Sequence, residues 1–514
     1  MALQRKTKAI AEYGDFQTPA ELAQKACGLL ASSGLRPKSL IEPTCGTGNF
    51  FLAGIDAFTS IEMAIGLDIN SSYVEAVRQS LSEKRPKTQA RVEHANFFET
   101  DWQSLIDALC EPIVVIGNPP WVTNAELGSL GSSNLPKKTN FQNHSGLDAI
   151  TGKSNFDISE WMLIKLLEWL NGHSATMGML CKTAVARKVL VHAWRNDIHL
   201  EKAQIFPIDA AASFGAAVDA CFLVCTLAQR AHSRECHSFS DFDPISRATI
   251  FGYRDSRLLA NLSAYERWGH LQGEEHYKWR SGVKHDCSKV MELDRNGDCF
   301  LSGFGERLDL ESDYIFPMLK SSEIAKGQYG LPTRWMLVTQ KSVGEDTRFI
   351  RTTAPKTWDY LLRHGELLDR RASSIYRNRP RFSVFGVGDY TFAPWKVAIS
   401  GFYKKLTFTV VSPFEGKPVI LDDTSYFLSC RTEEEATYIA SLLNSDIAKE
   451  FFSAFIFWDS KRPITVDVLR RVDLVALARE LGSERTMRGY LSQSSAKPDS
   501  GQCLQQQQLF GMFH

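Results

Sequence analysis

The sequence lacks any apolar run long enough to cross a membrane, and none of its cysteines are spaced as C-x-x-C. Its 11 cysteines are scattered over 514 residues, which is typical of buried free thiols rather than of a disulfide framework or a zinc site. The segment 1–16, MALQRKTKAIAEYGDF, has no apolar block of the kind found in a secretory signal. We therefore expect a cytoplasmic protein with no metal site and no membrane contact.

The sequence also lacks a net charge, because 59 Lys and Arg residues balance 59 Asp and Glu residues. Global charge therefore does not indicate a nucleic-acid partner. The region 331–410 is the exception, with 14 Lys and Arg residues against 6 Asp and Glu residues. Such a basic region fits a phosphate backbone, and it fits an ordinary solvated surface equally well.

The first half of the chain alternates short apolar segments with amphipathic ones. The amphipathic segments predict helices from Asn49, over 71–83 and over 158–170. Strands are predicted at 39–43, 63–69, 91–97, 112–117, 176–182, 202–208 and 220–227. This alternation predicts an α/β fold, Rossmann-like, with a mainly parallel seven-stranded sheet and helices on both faces.

The alternation of apolar and amphipathic segments ends after residue 229, where polar segments interrupt it. We expect an α/β domain over 1–235 and a second domain, of α+β type, over 236–475. The segment 476–514 is poor in apolar residues apart from its end, and we expect it to be disordered.

A glycine-containing turn follows the first predicted strand, in the segment IEPTCGTGNF (41–50). Gly46 and Gly48 allow the backbone to approach a ligand closely. Asp68 ends the second strand, where a carboxylate can accept from ribose hydroxyls, and Asn96 with Phe97 ends the third, where an amide and a ring can meet an adenine. The third glycine of a dinucleotide fingerprint is missing, which favours S-adenosylmethionine over NAD. Taken alone, Asp68 fits a helix N-cap as well.

The segment IGNPPW (116–121) follows the fourth strand. Two consecutive prolines end that strand and hold the chain in a rigid corner. Asn118 places a side-chain amide and Trp121 an aromatic face at this corner, which Pro119 and Pro120 stiffen. Asn-Pro-Pro can also simply terminate a strand.

These segments resemble the motifs of the DNA amino-methyltransferases. EPTCGTGNFF (42–51) is similar to their first motif, and NPPW is similar to their catalytic tetrapeptide. YGDFQTPAELA (13–23) resembles the segment that precedes the cofactor loop in the gamma class, and the order of motifs matches TaqI-like adenine methylases. The resemblance implies S-adenosylmethionine as cofactor, and a C-terminal domain that recognises the DNA target. It implies cofactor contacts from Thr18, Pro19, Glu42, Thr44, Gly46, Gly48, Asp68, Asn96, Phe97 and Asn118.

The resemblance also implies a role for two aromatic residues in the methylation of a base. The target base leaves the stack of the duplex, and an aromatic face replaces the lost stacking, worth about 1–3 kcal/mol. Trp121 is the first such face. Phe214 resembles the second aromatic of gamma-class enzymes, although a core aromatic is the other interpretation.

Several acceptors remain open at this point. Asn at the first position of NPPW favours adenine N6, whereas the cytosine-N4 enzymes mostly carry Ser there. Similar tetrapeptides occur in enzymes that methylate glutamine or ribosomal RNA, but those are usually shorter chains. A non-catalytic DNA-binding module that retained the fold is a further alternative.

The partner predicted by this family is double-stranded DNA, with a cognate restriction endonuclease or another defence protein as a further partner. The chain is expected to act as a monomer. The segment 122–155 is rich in Gly, Ser and Asn and is expected to be a lid that orders on DNA, with a solvated loop as the alternative. Arginine and lysine alternate with aromatic residues over 374–405, a mixture that suits contacts to DNA. The predicted DNA contacts are Lys137, Lys138, Arg377, Arg379, Arg381, Lys396, Lys404, Lys405, Lys461 and Arg462.

Overall fold

The computed structural model describes residues 17–122, 157–297, 299–327 and 332–494. The chain divides into two compact units between Leu262 and Ser263. Within the described ranges, no helix is both long enough and apolar enough to cross a bilayer. In the same ranges, no three His, Cys, Asp or Glu side chains are grouped so that they could hold a metal ion.

The first unit is built on one ten-stranded sheet with the order β10-β9-β8-β6-β7-β5-β4-β1-β2-β3. Its strands are β1 (Ser39–Glu42), β2 (Met63–Asp68), β3 (Gln89–His94), β4 (Ile113–Gly117), β5 (Ala175–Lys182), β6 (Leu200–Ile208), β7 (Ala220–Leu227), β8 (Glu235–Phe239), β9 (Ala248–Arg254) and β10 (Arg257–Leu259). Its helices are α1 (Ala20–Ser32), α2 (Asn49–Ala57), α3 (Ser71–Lys84), α4 (Trp102–Asp107), α5 (Ile158–Leu170), α6 (Thr183–Arg195) and α7 (Ala210–Phe214).

The central strands are parallel and buried on both faces. β4 pairs with β1 and β5 in parallel, and all five of its residues are buried. Strands that are covered by helices on both faces read as continuous apolar runs, which is why the sequence predicts β1, β2, β4, β5 and β7 closely. β7 is antiparallel to both β5 and β6. The expected mainly parallel α/β sheet is confirmed.

The sheet has three more strands than the seven predicted. β8 pairs with β6 through Gln204 and His237, and the ring of Phe239 stacks on that of Phe206 with centroids 4.5 Å apart. β8 is only half-buried, and its polar residues give no strand pattern in the sequence. Because β8 to β10 extend the first sheet, the first unit continues past residue 235, the boundary that the sequence suggested.

The second unit mixes helices with two sheets. One sheet has the order β11-β20-β17-β18 and the other β14-β13-β12-β16-β15-β19. The strands are β11 (Arg280–Ser281), β12 (Glu292–Asn296), β13 (Cys299–Ser302), β14 (Arg307–Leu308), β15 (Ile315–Leu319), β16 (Arg334–Leu337), β17 (Trp395–Ser400), β18 (Thr409–Val411), β19 (Ile420–Leu421) and β20 (Ser425–Cys430). The helices are α8 (Leu262–Trp268), α9 (Ser288–Met291), α10 (Ser321–Lys326), α11 (Ile350–Thr353), α12 (Pro355–Arg363), α13 (Gly365–Asp369), α14 (Glu433–Leu443), α15 (Asp446–Ser453), α16 (Val466–Leu469), α17 (Leu474–Glu480) and α18 (Glu484–Ser494).

The expectation of disorder from residue 476 onward is wrong for α17 and α18. Met487 of α18 is fully buried, and the ring of Tyr490 packs against Tyr438 with centroids 5.6 Å apart. Tyr438 also donates its hydroxyl to the carbonyl of Ser483, which lies between the two helices. A few well-placed apolar side chains hold a helix that is otherwise polar. Residues 495–514 lie outside the described residues.

Candidate active site

The candidate site lies where the loops after β1, β2 and β4 meet. β1 is flanked by β4 on one side and β2 on the other, and all three strands run in the same direction. Their carboxyl ends therefore share one edge of the sheet. In open α/β sheets this edge, at the point where the strand order reverses, is where ligands bind.

The glycine turn after β1 takes up backbone conformations that only glycine adopts easily. Gly46 has φ +48° and Gly48 has φ +84°. A Cβ on Gly48 would lie 2.7 Å from the side chain of Val77, and one on Gly46 would lie 2.7 Å from Gln17. The turn is therefore packed between α3 and the segment before α1, so a side chain at Gly48 would collide with Val77 and one at Gly46 would displace the side chain of Gln17.

Asp68 links the glycine turn to the start of α3. The backbone N–H of Gly46 donates to its Oδ2 at 2.7 Å, and the N–H of Asn70 donates to its Oδ1 at 2.8 Å. The N-cap of α3 is Asn70, whose side chain accepts from Ser72. Asp68 thus orients the turn, and its carboxylate lies at the strand edge that the sequence predicted.

The segment before α1 is held against the same turn. The side chain of Asn49 donates to the carbonyl of Thr18 at 2.7 Å, and Pro19 precedes the first residue of α1. Gln17 accepts from the backbone N–H of Thr47 at 3.0 Å and from its hydroxyl at 2.9 Å. The sequence analysis missed Gln17, although its position directly before Thr18 and Pro19 was a signal.

The end of β3 is arranged differently from the prediction. The side-chain oxygen of Asn96 accepts from the backbone N–H of Phe98 at 3.0 Å. The ring of Phe97 is buried, with centroids 4.9 Å from Trp102 and 5.9 Å from Trp169. Phe97 is thus a core residue rather than a pocket wall, because the turn after β3 packs its ring against α4 and α5. Phe98 remains half-exposed beside Asn96.

Ile69 is a second residue that the sequence analysis missed. It follows Asp68 directly and leaves 40% of its surface exposed. An exposed, branched apolar side chain next to a strand-end carboxylate can pack against the face of a ligand's aromatic ring. The apolar pattern of 63–69 places Ile69 within the predicted second strand, and only the fold shows that it is exposed.

Glu42, the last residue of β1, is buried and lies against β4. A Cβ on Gly117 would lie 3.4 Å from its Cγ. Burial, reinforced by the nearby charge of Asp68, raises the pKa of Glu42 well above its usual value, although a hydrogen bond from the backbone of Phe51 opposes this. Among the described residues, its Oε2 has no hydrogen-bond partner. A buried carboxyl oxygen in that state fits a ligand that brings a cation or an N–H donor.

The corner Asn118–Trp121 is joined to the glycine turn. The hydroxyl of Thr44 donates to the backbone carbonyl of Asn118 at 3.5 Å. Asn118 and Pro120 are half-buried, and Pro119 is buried. The predicted corner and the predicted cofactor turn therefore lie side by side at one edge of the sheet.

Trp121 and Phe214 are in direct contact. Their ring centroids are 5.1 Å apart and the rings meet at 69°, edge to face. Trp121 is only 5% exposed, and its indole N–H donates to the carbonyl of Leu180 at 3.4 Å. Phe214 is the last residue of α7. The structure brings the two predicted aromatics together, although they do not form a parallel pair.

The predicted DNA contacts of the second unit fall into three groups. Arg377, Lys404, Lys405 and Lys461 are exposed. Three arginines have partners: the guanidinium of Arg379 lies 5.8 Å from the Phe385 ring, Arg381 pairs with Asp369 at 2.8 Å, and Arg462 lies 4.5 Å from the Phe402 ring. Lys396 forms the third group by itself.

Lys396 departs from the prediction of a DNA contact. It is only 1% exposed, its ammonium donates to the carbonyl of Ala393 at 2.6 Å, and burial lowers its pKa to about 7. Residues Lys396 to Ser400 of β17 are all buried, and the burial of Lys396 rules out contact with DNA in this conformation. Lys137 and Lys138 lie outside the described residues.

Comparison with known proteins identifies the family to which this chain belongs. No family model matches the chain. The chain is 46% identical over 478 residues to the Type II methyltransferase M.NspV of Nostoc sp. (strain ATCC 29411 / PCC 7524), a match that covers 92% of this chain and 98% of that relative. A solved structure of the Type IIL restriction-modification enzyme MmeI in complex with DNA matches with a TM-score of 0.50 at 12% identity, over 97% of this chain and 69% of that chain. The likeness to MmeI concerns the fold alone, whereas the identity with M.NspV is high and spans both units. On that ground, the chain belongs to the type II methyltransferases.

Proposed function

We propose that this chain transfers a methyl group from S-adenosylmethionine to the N6 amine of an adenine that is rotated out of duplex DNA. The proposal rests on the contact between the loop after β1 and the loop after β4. There, Thr44 donates to the carbonyl of Asn118, and Glu42 lies against Gly117. Two oxygens suited to an exocyclic amine thus lie beside a glycine turn suited to an adenosine ligand.

The residues at the turn fit the cofactor. Glu42 offers a buried oxygen for a cationic group, Asp68 offers a carboxylate at the strand edge, and Ile69 offers an apolar surface for the adenine. When bound, S-adenosylmethionine supplies an electrophilic methyl group on a sulfonium. Gly46 and Gly48 allow the backbone to approach the ligand, and Thr18, Pro19 and Gln17 close the turn from the other side.

Asn118 and Pro119 would activate the amine. Delocalisation of the lone pair into the ring makes an exocyclic amine a poor nucleophile. When the amine donates one N–H to the Asn118 side-chain oxygen and the other to the Pro119 carbonyl, its nitrogen can pyramidalise. The nitrogen lone pair then forms the new N–C bond, the C–S electrons stay with sulfur, and one N–H proton leaves for water. Orientation and fixed dipoles account for most of the rate.

Trp121 and Phe214 would receive the base. A base that stacks on Trp121 gains about 1–3 kcal/mol, which offsets part of the cost of leaving the duplex. Because the two rings touch edge to face, a base can lie between them only if one ring moves. We expect the ring of Phe214 to move. Phe214 ends a five-residue helix and is followed by Gly215 in the left-handed conformation.

The second unit would read the DNA sequence. Arg377, Lys404, Lys405 and Lys461 are exposed, as phosphate contacts must be. We propose that residues of this unit position the duplex, and that the chain serves a restriction-modification system with a separate endonuclease. Positive charge in this region should make binding fall with rising salt concentration.

The experiment is methyl transfer from tritiated S-adenosylmethionine to unmethylated plasmid DNA, followed by nucleoside analysis. We expect N6-methyladenine, and sequencing of the modified bases then gives the recognition site. Asn118→Ala should lower the rate by about 10²–10³-fold, the usual cost of a positioned polar group in a transition state, with cofactor affinity preserved. Asn196→Ala, at the exposed end of α6, is the matched control and should act like the wild type.

The other outcomes distinguish the alternatives. N4-methylcytosine would change the base but not the mechanism. Label in protein rather than DNA would change the class of substrate. Cofactor binding without any transfer would favour a non-catalytic DNA-binding module, and an Asn118→Ala variant at the wild-type rate would refute the activation of the amine.

A further inference from the structure

Lys182 reaches the corner Asn118–Trp121 from the neighbouring strand. It is the last residue of β5, which pairs with β4 in parallel. Its ammonium lies 2.6 Å from Oδ2 of Asp157 and donates to the backbone carbonyl of Trp121 at 3.3 Å. One cation therefore joins the end of β5, the N-cap of α5 and the residue that ends the NPPW segment.

The partner of Lys182 is a nearly buried carboxylate. The side chain of Asp157 is 8% exposed and that of Lys182 is 26% exposed. The other oxygen of Asp157 accepts from the backbone N–H and from the hydroxyl of Ser159. A carboxylate held by three donors in a buried place has little freedom, and its ion pair fixes the ammonium in turn.

Two more hydrogen bonds hold the chain at Trp121 and Val122. The indole of Trp121 donates to the carbonyl of Leu180 in β5, and the N–H of Ile158 donates to the carbonyl of Val122 at 2.9 Å. The end of the corner is thus held by β5 and α5 as well as by its own strand. Of these contacts, only the one from Lys182 combines a charge with a direct bond to the Trp121 backbone.

We propose that Lys182, held by Asp157, is a positioning residue that fixes Trp121 for capture of the target base. The inference rests on the proposed function, in which Trp121 stacks on the extruded base. Without the ammonium, the carbonyl of Trp121 loses its charged donor, and both the indole and the adjacent amine acceptors can shift. A displacement of about 1 Å at a reacting centre costs roughly 10²-fold in rate.

The chain offers a matched control in Lys188. This residue lies further along α6 and pairs with Oε2 of Glu160 at 2.9 Å. Glu160 belongs to the first turn of α5 and is 2% exposed, so each of the two lysines pairs with a buried acid at the start of α5. Lys188 bonds to Glu160 instead of to the Trp121 backbone, and this is the difference that the test uses.

The experiment compares Lys182→Met with Lys188→Met in single-turnover methyl transfer to unmethylated plasmid DNA. We expect the first variant to be about 10²-fold slower, with a raised half-saturating concentration of DNA and an unchanged affinity for S-adenosylmethionine in calorimetry. The second should stay within about 2-fold of the wild-type rate. Lys182→Arg keeps the charge and the donor, and should recover much of the rate.

A second variant separates positioning from folding. Lys182→Met leaves Asp157 as an uncompensated buried charge, so the double variant Lys182→Met/Asp157→Asn removes both charges. It should unfold at a temperature near that of the wild type and still transfer slowly.

The outcomes separate the two hypotheses. If the wild-type chain transfers no methyl group to DNA, the proposed function fails. If the wild type is active while Lys182→Met keeps its rate, or while both lysine variants lose rate equally, the positioning role is refuted and the proposed function stands. A fall in cofactor affinity that matches the fall in rate would also refute the role.

Discussion

Replacing Lys396 by methionine should stabilise the second unit at neutral pH and remove part of the pH dependence of its stability. Lys396 is 1% exposed and lies in β17, where its ammonium donates to the carbonyl of Ala393 at 2.6 Å. Burial disfavours the charged form and lowers the pKa from 10.5 to about 7. Methionine has a similar length and no charge, so it fits the same space.

The size and sign of the effect follow from proton binding. Below pH 7 both the folded and the unfolded chain hold the proton, and the full cost of burying the charge is present. Between pH 7 and 10.5 the unfolded chain binds more protons, so the free energy of unfolding rises with pH. At about 1.4 kcal/mol per pKa unit, the wild type gains about 2 kcal/mol relative to Lys396→Met between about pH 7 and 9.

The variant also loses a hydrogen bond. Without the ammonium, the carbonyl of Ala393 lacks its donor, which costs about 1–3 kcal/mol. Burial of the charge at about pH 7 costs about 4 kcal/mol on the same scale. Lys396→Met should therefore be more stable than the wild type by about 1–3 kcal/mol at about pH 7, and the two should be nearly equal at about pH 9.

Urea unfolding at about pH 7, 8 and 9 measures this difference. Lys404→Met, at an exposed position, is the control and should change the unfolding free energy by less than about 0.5 kcal/mol. DNA affinity should be unchanged in Lys396→Met. A wild-type-to-variant difference that is constant over this pH range would refute the neutral buried amine, and so would a loss of DNA affinity specific to Lys396→Met.

Two further predictions concern the glycine turn and β1. Gly48→Ala should unfold at a lower temperature and bind S-adenosylmethionine more weakly, because φ is +84° and the new Cβ would lie 2.7 Å from Val77. The control is Gly28→Ala within α1, where a Cβ meets nothing within 4 Å. This variant should be as stable as the wild type, or more stable by up to about 1 kcal/mol. Glu42→Gln should abolish proton release on cofactor binding, measured by calorimetry in two buffers of different ionisation enthalpy. In the wild type the pKa of Glu42 is raised and a cationic ligand lowers it, so affinity should increase with pH up to that raised pKa; an affinity independent of pH would contradict this role.

Much of the first unit is predictable from local pattern. Strands β4 and β7 are nearly continuous apolar runs because helices cover both faces of the sheet, and α5 begins and ends where its amphipathic pattern predicts. The outer strands β8 and β9 are not predictable in this way, because a half-exposed strand carries polar residues. The domain boundary was misplaced for the same reason.

The placement of single side chains was less predictable. Phe97 and Phe98 are equivalent in the sequence, and only the packing of the turn after β3 against α4 and α5 decides that Phe97 faces the aromatic core. Likewise, composition cannot separate Lys396, which is buried, from Lys404, which is exposed. Which of two similar side chains meets the core depends on the strands and helices packed against its segment, and those come from distant parts of the chain.

By itself, the sequence determined the α/β class of the first unit, the positions along the chain of the strands that carry candidate site residues, and the two rigid turns at Gly46–Gly48 and Pro119–Pro120. These are properties of short segments, because periodic apolar burial and restricted backbone angles act over a few residues. Only the tertiary structure decided that Thr44 meets Asn118, that Trp121 touches Phe214, and that Lys182 pairs with Asp157 beside the corner. Those contacts join residues far apart in the chain, and they exist because parallel strands bring their carboxyl ends to one edge of the sheet.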